Sequence, residues 1–182
     1  MNLHLARDLH RLLRLAAFLL LLVMVSVVGA QEAPVTYDTP GAPITDEQAA
    51  AFIERFDALF NEPNTDIADE LFAEDFVGHL PLAPILDREG WKAYVDSFRA
   101  GASDTTQTTN RYFVVDDRLI LHVTYNGTHD GDLFGVPATG NPISMDGIGI
   151  FRFNDDGLAA ENWAVIDLAN VLAQIGAIPP AS

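Results

Sequence analysis

The 182-residue sequence contains no cysteine. Disulfides, thiolate nucleophiles, cysteine-type zinc sites and lipid attachment at cysteine are therefore excluded. Basic side chains are scarce: 10 lysines and arginines stand against 26 aspartates and glutamates, giving a net charge of −16. Arg7, Arg11 and Arg14 sit near the amino terminus, so the remainder is more acidic still. Such a surface repels phosphate backbones and anionic lipid heads, and no nucleic-acid partner is expected. Gly-x-Ser-x-Gly, a Gly-rich phosphate loop and His-Glu-x-x-His are also missing. Asp130-Gly131-Asp132 begins like a calcium loop but does not complete the EF-hand spacing, so no metal site is expected.

Apolar residues make up 49% of the chain, enough for the core of one domain. The run from Leu15 to Val28 is uncharged, follows the basic stretch Met1 to Arg14, and ends in Val28-Gly29-Ala30. It falls short of the ~18–20 apolar residues that span a bilayer. The three-part order predicts a secretory signal over residues 1–30, cut after Ala30, and hence a periplasmic or extracellular domain. The alternative is an amino-terminal membrane anchor. Residues 31–44, with Pro34, Pro40, Gly41 and Pro43, read as a flexible tether before a domain over 45–178 and a tail over 179–182.

Within the domain the hydrophobic period changes once. Thr45-Asp46-Glu47-Gln48 fits a capping box, followed by Phe52, Ile53, Phe56, Leu59 and Phe60 at helical spacing. A short second helix carries Ile67, Leu71 and Phe72, and a third from Asp87 presents Trp91, Tyr94, Val95 and Phe98. From about Thr105 the pattern is extended. Strands are predicted over 108–115 and from Arg118 to Thr128, then a hairpin of Ile143 to Phe153 and Leu158 to Ile166 across Asn154-Asp155-Asp156-Gly157. A last helix starts at Asp167, with Gly176 closing it. Three helices, a largely antiparallel sheet and a closing helix make an α+β fold. A strongly bent sheet leaves a concavity beneath its helices, where small molecules bind.

Gly127-Thr128-His129-Asp130-Gly131 followed by Gly135-Val136-Pro137-Ala138-Thr139-Gly140 resembles the signature of SnoaL-like proteins, the polyketide cyclase or ester cyclase family. Gly147-Ile148-Gly149-Ile150-Phe151-Arg152-Phe153, Glu161-x-Trp163-x-x-x-Asp167 and Phe76-Val77-Gly78-His79 agree with it. The resemblance implies the NTF2-like cone, with helices on a curved sheet, and ring closure by an intramolecular aldol reaction. Such chemistry needs a base for a proton alpha to a carbonyl and a donor for the oxyanion, with no cofactor. The family's acid/base aspartate lies three residues before Asp167, where this chain has Ala164, and its partner histidine falls near Ile150.

Candidate residues follow from this frame. His79 either lines the cavity, as a histidine there often does in the family, or bonds a loop carbonyl. His129 ends a strand whose Leu119, Leu121, Val123 and Tyr125 share one face, placing it at the cavity mouth or making it the anchor of the following loop. Asp146 is placed on the face of Ile148 and Ile150, with Arg152 as its natural partner. Asp167 is expected to cap the last helix. Asn162 and Ala164 share a face opposite Trp163; Asn162 can orient a carbonyl but cannot act as a base. Trp91, Phe98, Tyr125, Phe134, Ile148 and Ile150 complete the expected walls. Two readings remain open. One is an exported, cofactor-free acid/base enzyme of cyclase, isomerase or lyase type, using His79, His129 and Asp146 on a carbonyl compound. The other is a non-catalytic module that binds a small apolar ligand or dimerises through its sheet, whose strands are apolar on both faces.

Overall fold

The computed structural model describes residues 40–81 and 83–179. The expected signal segment, most of the expected tether and residues 180–182 lie outside the described residues. The last residues of that tether are held in place: the Gly41 N–H donates to Asp117 Oδ2 at 2.9 Å, and the N–H of buried Ile44 donates to the Asp116 carbonyl at 2.9 Å.

Helix α1 (Asp46–Asn61) opens with the capping box, in which Thr45 Oγ1 accepts from the Gln48 N–H and Gln48 returns the bond to the Thr45 N–H. Its buried stripe of Ala49, Phe52, Phe56, Leu59 and Phe60 is the apolar face the spacing implied. Helix α2 (Ile67–Leu71) is short, and the chain then departs from the order read from sequence. Phe72 is not helical but opens strand β1 (Phe72–His79), so a strand precedes the third helix. The cause is long-range. β1 pairs in parallel with a strand more than 80 residues later, and Phe72 stacks on Phe76 with ring centroids 4.3 Å apart. Helix α3 (Arg88–Gly101) is capped by Asp87, whose carboxylate accepts from the Gly90 N–H at 2.7 Å, and it buries Trp91, Val95 and Phe98.

The strands that follow are β2 (Thr106–Val115), β3 (Arg118–Thr128), β4 (Pro142–Phe153) and β5 (Ala159–Ile166). The curved sheet has the order β1-β5-β4-β3-β2, antiparallel except for β1 against β5. Asn154 Oδ1 holds the β4–β5 turn by accepting from the Asp156 and Leu158 N–H groups, and Gly157 supplies the positive φ of +77°. Helix α4 (Leu168–Gln174) follows, with the Asp167 carboxylate accepting from the Asn170 N–H at 3.2 Å. The helices cover one face of the sheet. Phe52, Phe56, Phe72, Phe76, Trp91 and Phe151 form its aromatic core, while Phe98, Leu133, Ile143, Met145, Val171 and Ile175 form a second cluster.

The cap on α4 gives a direct test. Asp167→Ala should lower the unfolding free energy by ~1 kcal/mol, whereas Asp167→Asn, an equally good cap, should leave the urea midpoint nearly unchanged.

Candidate functional site: a glycine-made hollow

Burial along β4 alternates strictly: Ile143, Met145, Gly147, Gly149, Phe151 and Phe153 face the core. Two of these inward positions carry no side chain. Gly149 pairs with Ala164 on β5, so three small residues adjoin one another on the inner face. The space they leave is a partly open hollow of about 30 Å³, room for two or so water molecules. Its walls include Phe56, Phe60, Leu80, Trp91, Tyr94, Phe98, Tyr125, Met145 and Phe151. A side chain at either glycine would meet neighbours at once. A Cβ on Gly149 would lie 3.2 Å from a Phe151 ring carbon, and one on Gly147 would lie 3.4 Å from Ile166 and Val123 methyl groups.

Polar groups in these walls are few and neutral. Asn162 is fully buried, and its Nδ2 donates to the Ile150 carbonyl at 3.2 Å. That bond fixes which way the amide faces and leaves Oδ1 buried with no partner. The Trp91 indole N–H is likewise buried and unpartnered. The phenol groups of Tyr94 and Tyr125 have no hydrogen-bond partner among the described residues. Burial raises the pKa of both phenols, and for Tyr125 the proximity of Tyr94 and Asp57 adds to it. Both therefore stay protonated at neutral pH. The lining contains no Asp, Glu, His, Lys or Arg among the described residues. The polar lining residues are thus two phenols, an indole and a carboxamide, all uncharged.

Of the residues expected to line a cavity, Trp91, Phe98, Tyr125, Asn162 and Ala164 do so. Ile148 borders the hollow although its position on β4 is 41% exposed. Ile150, on the outward parity of β4, does not line it. Phe134 does not either: its φ of +55° turns the loop so that the ring packs against the second cluster.

The three expected proton carriers are absent from the lining, each for a physical reason. Asp146 shares the outward parity of Ile150; it is exposed and accepts from the Thr124 hydroxyl at 2.6 Å. Its expected partner Arg152 bonds Glu161 instead, through Nη2 at 3.0 Å and Nε at 3.2 Å. His79 joins the same group, its Nε2 3.0 Å from Glu161 Oε1 and its ring stacked on Trp163. His129 is fully buried with both ring nitrogens engaged. Nε2 lies 3.1 Å from the Val136 carbonyl and so carries the proton, while Nδ1 lies 2.9 Å from Thr139 Oγ1. Its backbone N–H and carbonyl also bond Asn141 and Gly140. It anchors the loop. Tyr94 and the Gly147/Gly149 pair shape the hollow but were not assigned to a cavity from the sequence. The clue to the pair was two glycines spaced two apart in a strand.

The family model described as SnoaL-like polyketide cyclase matches residues 50–175. This chain belongs to the SnoaL-like polyketide cyclase family. Among solved structures, TsrD from Streptomyces laurentii is 26% identical, with a TM-score of 0.69 over 74% of this chain and 99% of that one. IdmH from Streptomyces antibioticus, described as a candidate polyketide cyclase, is 31% identical, with a TM-score of 0.63 over 71% and 99%. A protein of ketosteroid isomerase-like fold from Catenulispora acidiphila, 18% identical over 69% of this chain and 92% of that one, has a TM-score of 0.58 and shares the fold. No curated protein matches the chain.

The buried phenols of this SnoaL-like domain make its alkaline behaviour predictable. A folded-state pKa raised above the unfolded value of about 10 gives stability that is complete below pH ~10 and lost as pH rises beyond it. Urea midpoints should therefore fall above pH ~10, and fall less in a Tyr94→Phe/Tyr125→Phe variant. Phenolate absorbance for these two residues should appear at higher pH in the folded than in the unfolded domain.

Proposed function

We propose that the hollow binds a small, largely apolar carbonyl compound and polarises its oxygen through neutral donors, without a protein base. The observation that carries this reading is the buried, unpartnered Trp91 indole N–H in an apolar lining that also holds two phenols without a partner among the described residues. Leaving a buried polar group unpaired costs about 1–3 kcal/mol, a cost that a bound oxygen removes. Family membership supports a small-molecule ligand. Proton transfer by His79, His129 and Asp146 gains no support, since none of them borders the hollow. Ala164, at the position of the family's acid/base aspartate, leaves nothing in its place to titrate. A volume of about 30 Å³ accommodates the carbonyl end of a ligand, and the rest would extend through the open side.

Native mass spectrometry of the purified domain tests this. A co-purifying compound should be present in the wild type and lost in Ala164→Leu, whose stability should change by less than ~1 kcal/mol. An empty wild type, together with a clearly more stable Ala164→Leu, would mean a packing defect rather than a site.

Two finer statements belong with this reading. We propose that the domain is exported after cleavage at Ala30, so the intact mass of the secreted chain should begin at Gln31; a full-length mass would contradict it. We also propose a homodimer through the outer sheet face. There the register aligns Trp163, Ile150, Ile120 and Phe113 in one row across four strands, with Phe113 60% exposed. Sedimentation should give twice the monomer mass, reduced to the monomer by Ile150→Glu.

A further inference from the structure

The hollow borders a stretch of strand that has lost its neighbour. β1 and β5 pair in parallel only as far as His79 opposite Trp163. Gly78 exchanges both of its backbone bonds with Leu86, at 2.7 and 2.9 Å, so by alternation Val77 and His79 turn theirs to β5. The next residue of that parity is Pro81, which has no N–H to give, and the ladder stops there. β5 runs on through Ala164, Val165 and Ile166, and all three line the hollow.

The other side of β5 fixes where their backbone groups point. The Asp167 N–H donates to the Asp146 carbonyl at 3.0 Å, and Val165 lies opposite Ile148 in the same antiparallel register. The N–H groups of residues 165 and 167 therefore face β4, while Ala164 and Ile166 turn theirs to the opposite edge. With Pro81 unable to donate, the Ala164 carbonyl and both backbone groups of Ile166 have no partner among the described residues. The stretch also meets solvent: Val165 is 64% exposed, and Ala164 is half-buried although its parity faces inward. Only these two residues offer free groups before α4 begins at Leu168, too short an edge for a strand of another protein.

We propose that this edge, beside the hollow, binds a small uncharged ligand containing one peptide unit, –NH–CHR–C(=O)–. Pairing in either direction asks for the same unit. Run parallel, its N–H donates to the Ala164 carbonyl and its C=O accepts from the Ile166 N–H. Run antiparallel, it exchanges both bonds with Ile166. A simple ketone supplies the acceptor alone, and an ester of the same shape lacks the donor. The apolar lining beside the edge takes hydrocarbon, and with no charged side chain among its described residues it leaves an ionised ligand without a counter-charge. The contacts are backbone groups, so the proposal goes beyond the carbonyl-binding reading and does not rest on its side-chain donors.

Isotope-labelled protein provides the test. Without ligand, the Ile166 amide should exchange its hydrogen at least ~tenfold faster than the Val165 amide, after correction for intrinsic rates, since only the latter is held in the sheet. The protein is then titrated with N-acetylvaline N′-methylamide and with the ester analogue in which oxygen replaces the valine N–H. The amide should shift the Ile166 N–H resonance, slow its exchange, and act at about tenfold lower concentration than the ester. In Ile166→Pro the donor is gone while the β4 ladder keeps its bonds. The Gly147 and Gly149 amide signals, which report on the hollow, should then need about tenfold more of the amide to move. Ile166→Val should behave as the wild type. If the proline variant fails to fold, the exchange measurement and the amide–ester comparison still decide the matter. An Ile166 amide as protected as that of Val165 would overturn the free edge and the proposal with it. Equal responses to amide and ester, or a silent Ile166, would overturn the peptide-unit ligand and leave the carbonyl-binding reading to its own mass-spectrometric test.

Discussion

Two inward-facing positions on one central strand lack side chains, and the site follows from that. β4 packs tightly at both ends, through Ile143 and Met145 on one side and Phe151 and Phe153 on the other. Between them Gly147 and Gly149, with Ala164 alongside on β5, leave a gap that the aromatic walls do not close. Interiors normally fill such space to crystal-like density, because a void loses dispersion contacts outright. Here the neighbours are rigid rings held by one another. Phe56 and Phe151 sit edge to face at 5.0 Å, and Phe98 and Tyr125 at 5.8 Å. Neither pair can collapse inward without giving up its own contacts.

Local signals in the sequence proved dependable wherever the chain's near neighbours decide the structure. The capping box at Thr45, the Asp167 cap, the Asn154–Gly157 turn and the limits of β3 were all legible, because each depends on residues within a few positions. The α+β class followed from the single change in period. β1 was only half legible. Its start at Phe72 depends on a parallel partner beyond residue 150, and helical spacing with Leu71 hid the switch.

The side of β4 that faces the core was misread for an instructive reason. Both parities of the strand are apolar, and the true inner set contains two glycines, which add nothing to a count of hydrophobic side chains. In the middle of the strand the only apolar side chains, Ile148 and Ile150, belong to the outer set, and taking them as cavity walls carried Asp146 with them. Glycine inside a strand marks close approach or deliberate emptiness, and that mark outweighs the count. His129 was ambiguous for a different reason. Its position at the end of β3 was right, but its partners come from the loop that follows, whose course no periodicity specifies.

The two faces of the sheet divide the polar chemistry between them. Charged groups gather outside, where Glu161 bridges His79 and Arg152 in partial contact with solvent. Among the described residues, the lining of the hollow keeps only uncharged polar side chains: two phenols, an indole and one carboxamide. This division follows from desolvation. An ionised group in so small an apolar space would need a counter-charge that the surrounding rings leave no room for, whereas phenols, an indole and a carboxamide are tolerated uncharged. Among the described residues the lining holds no carboxylate, imidazole or amine. Replacing Ala164 by a carboxylate would place a titratable group beside Asn162 and the phenols, with burial acting to raise its pKa.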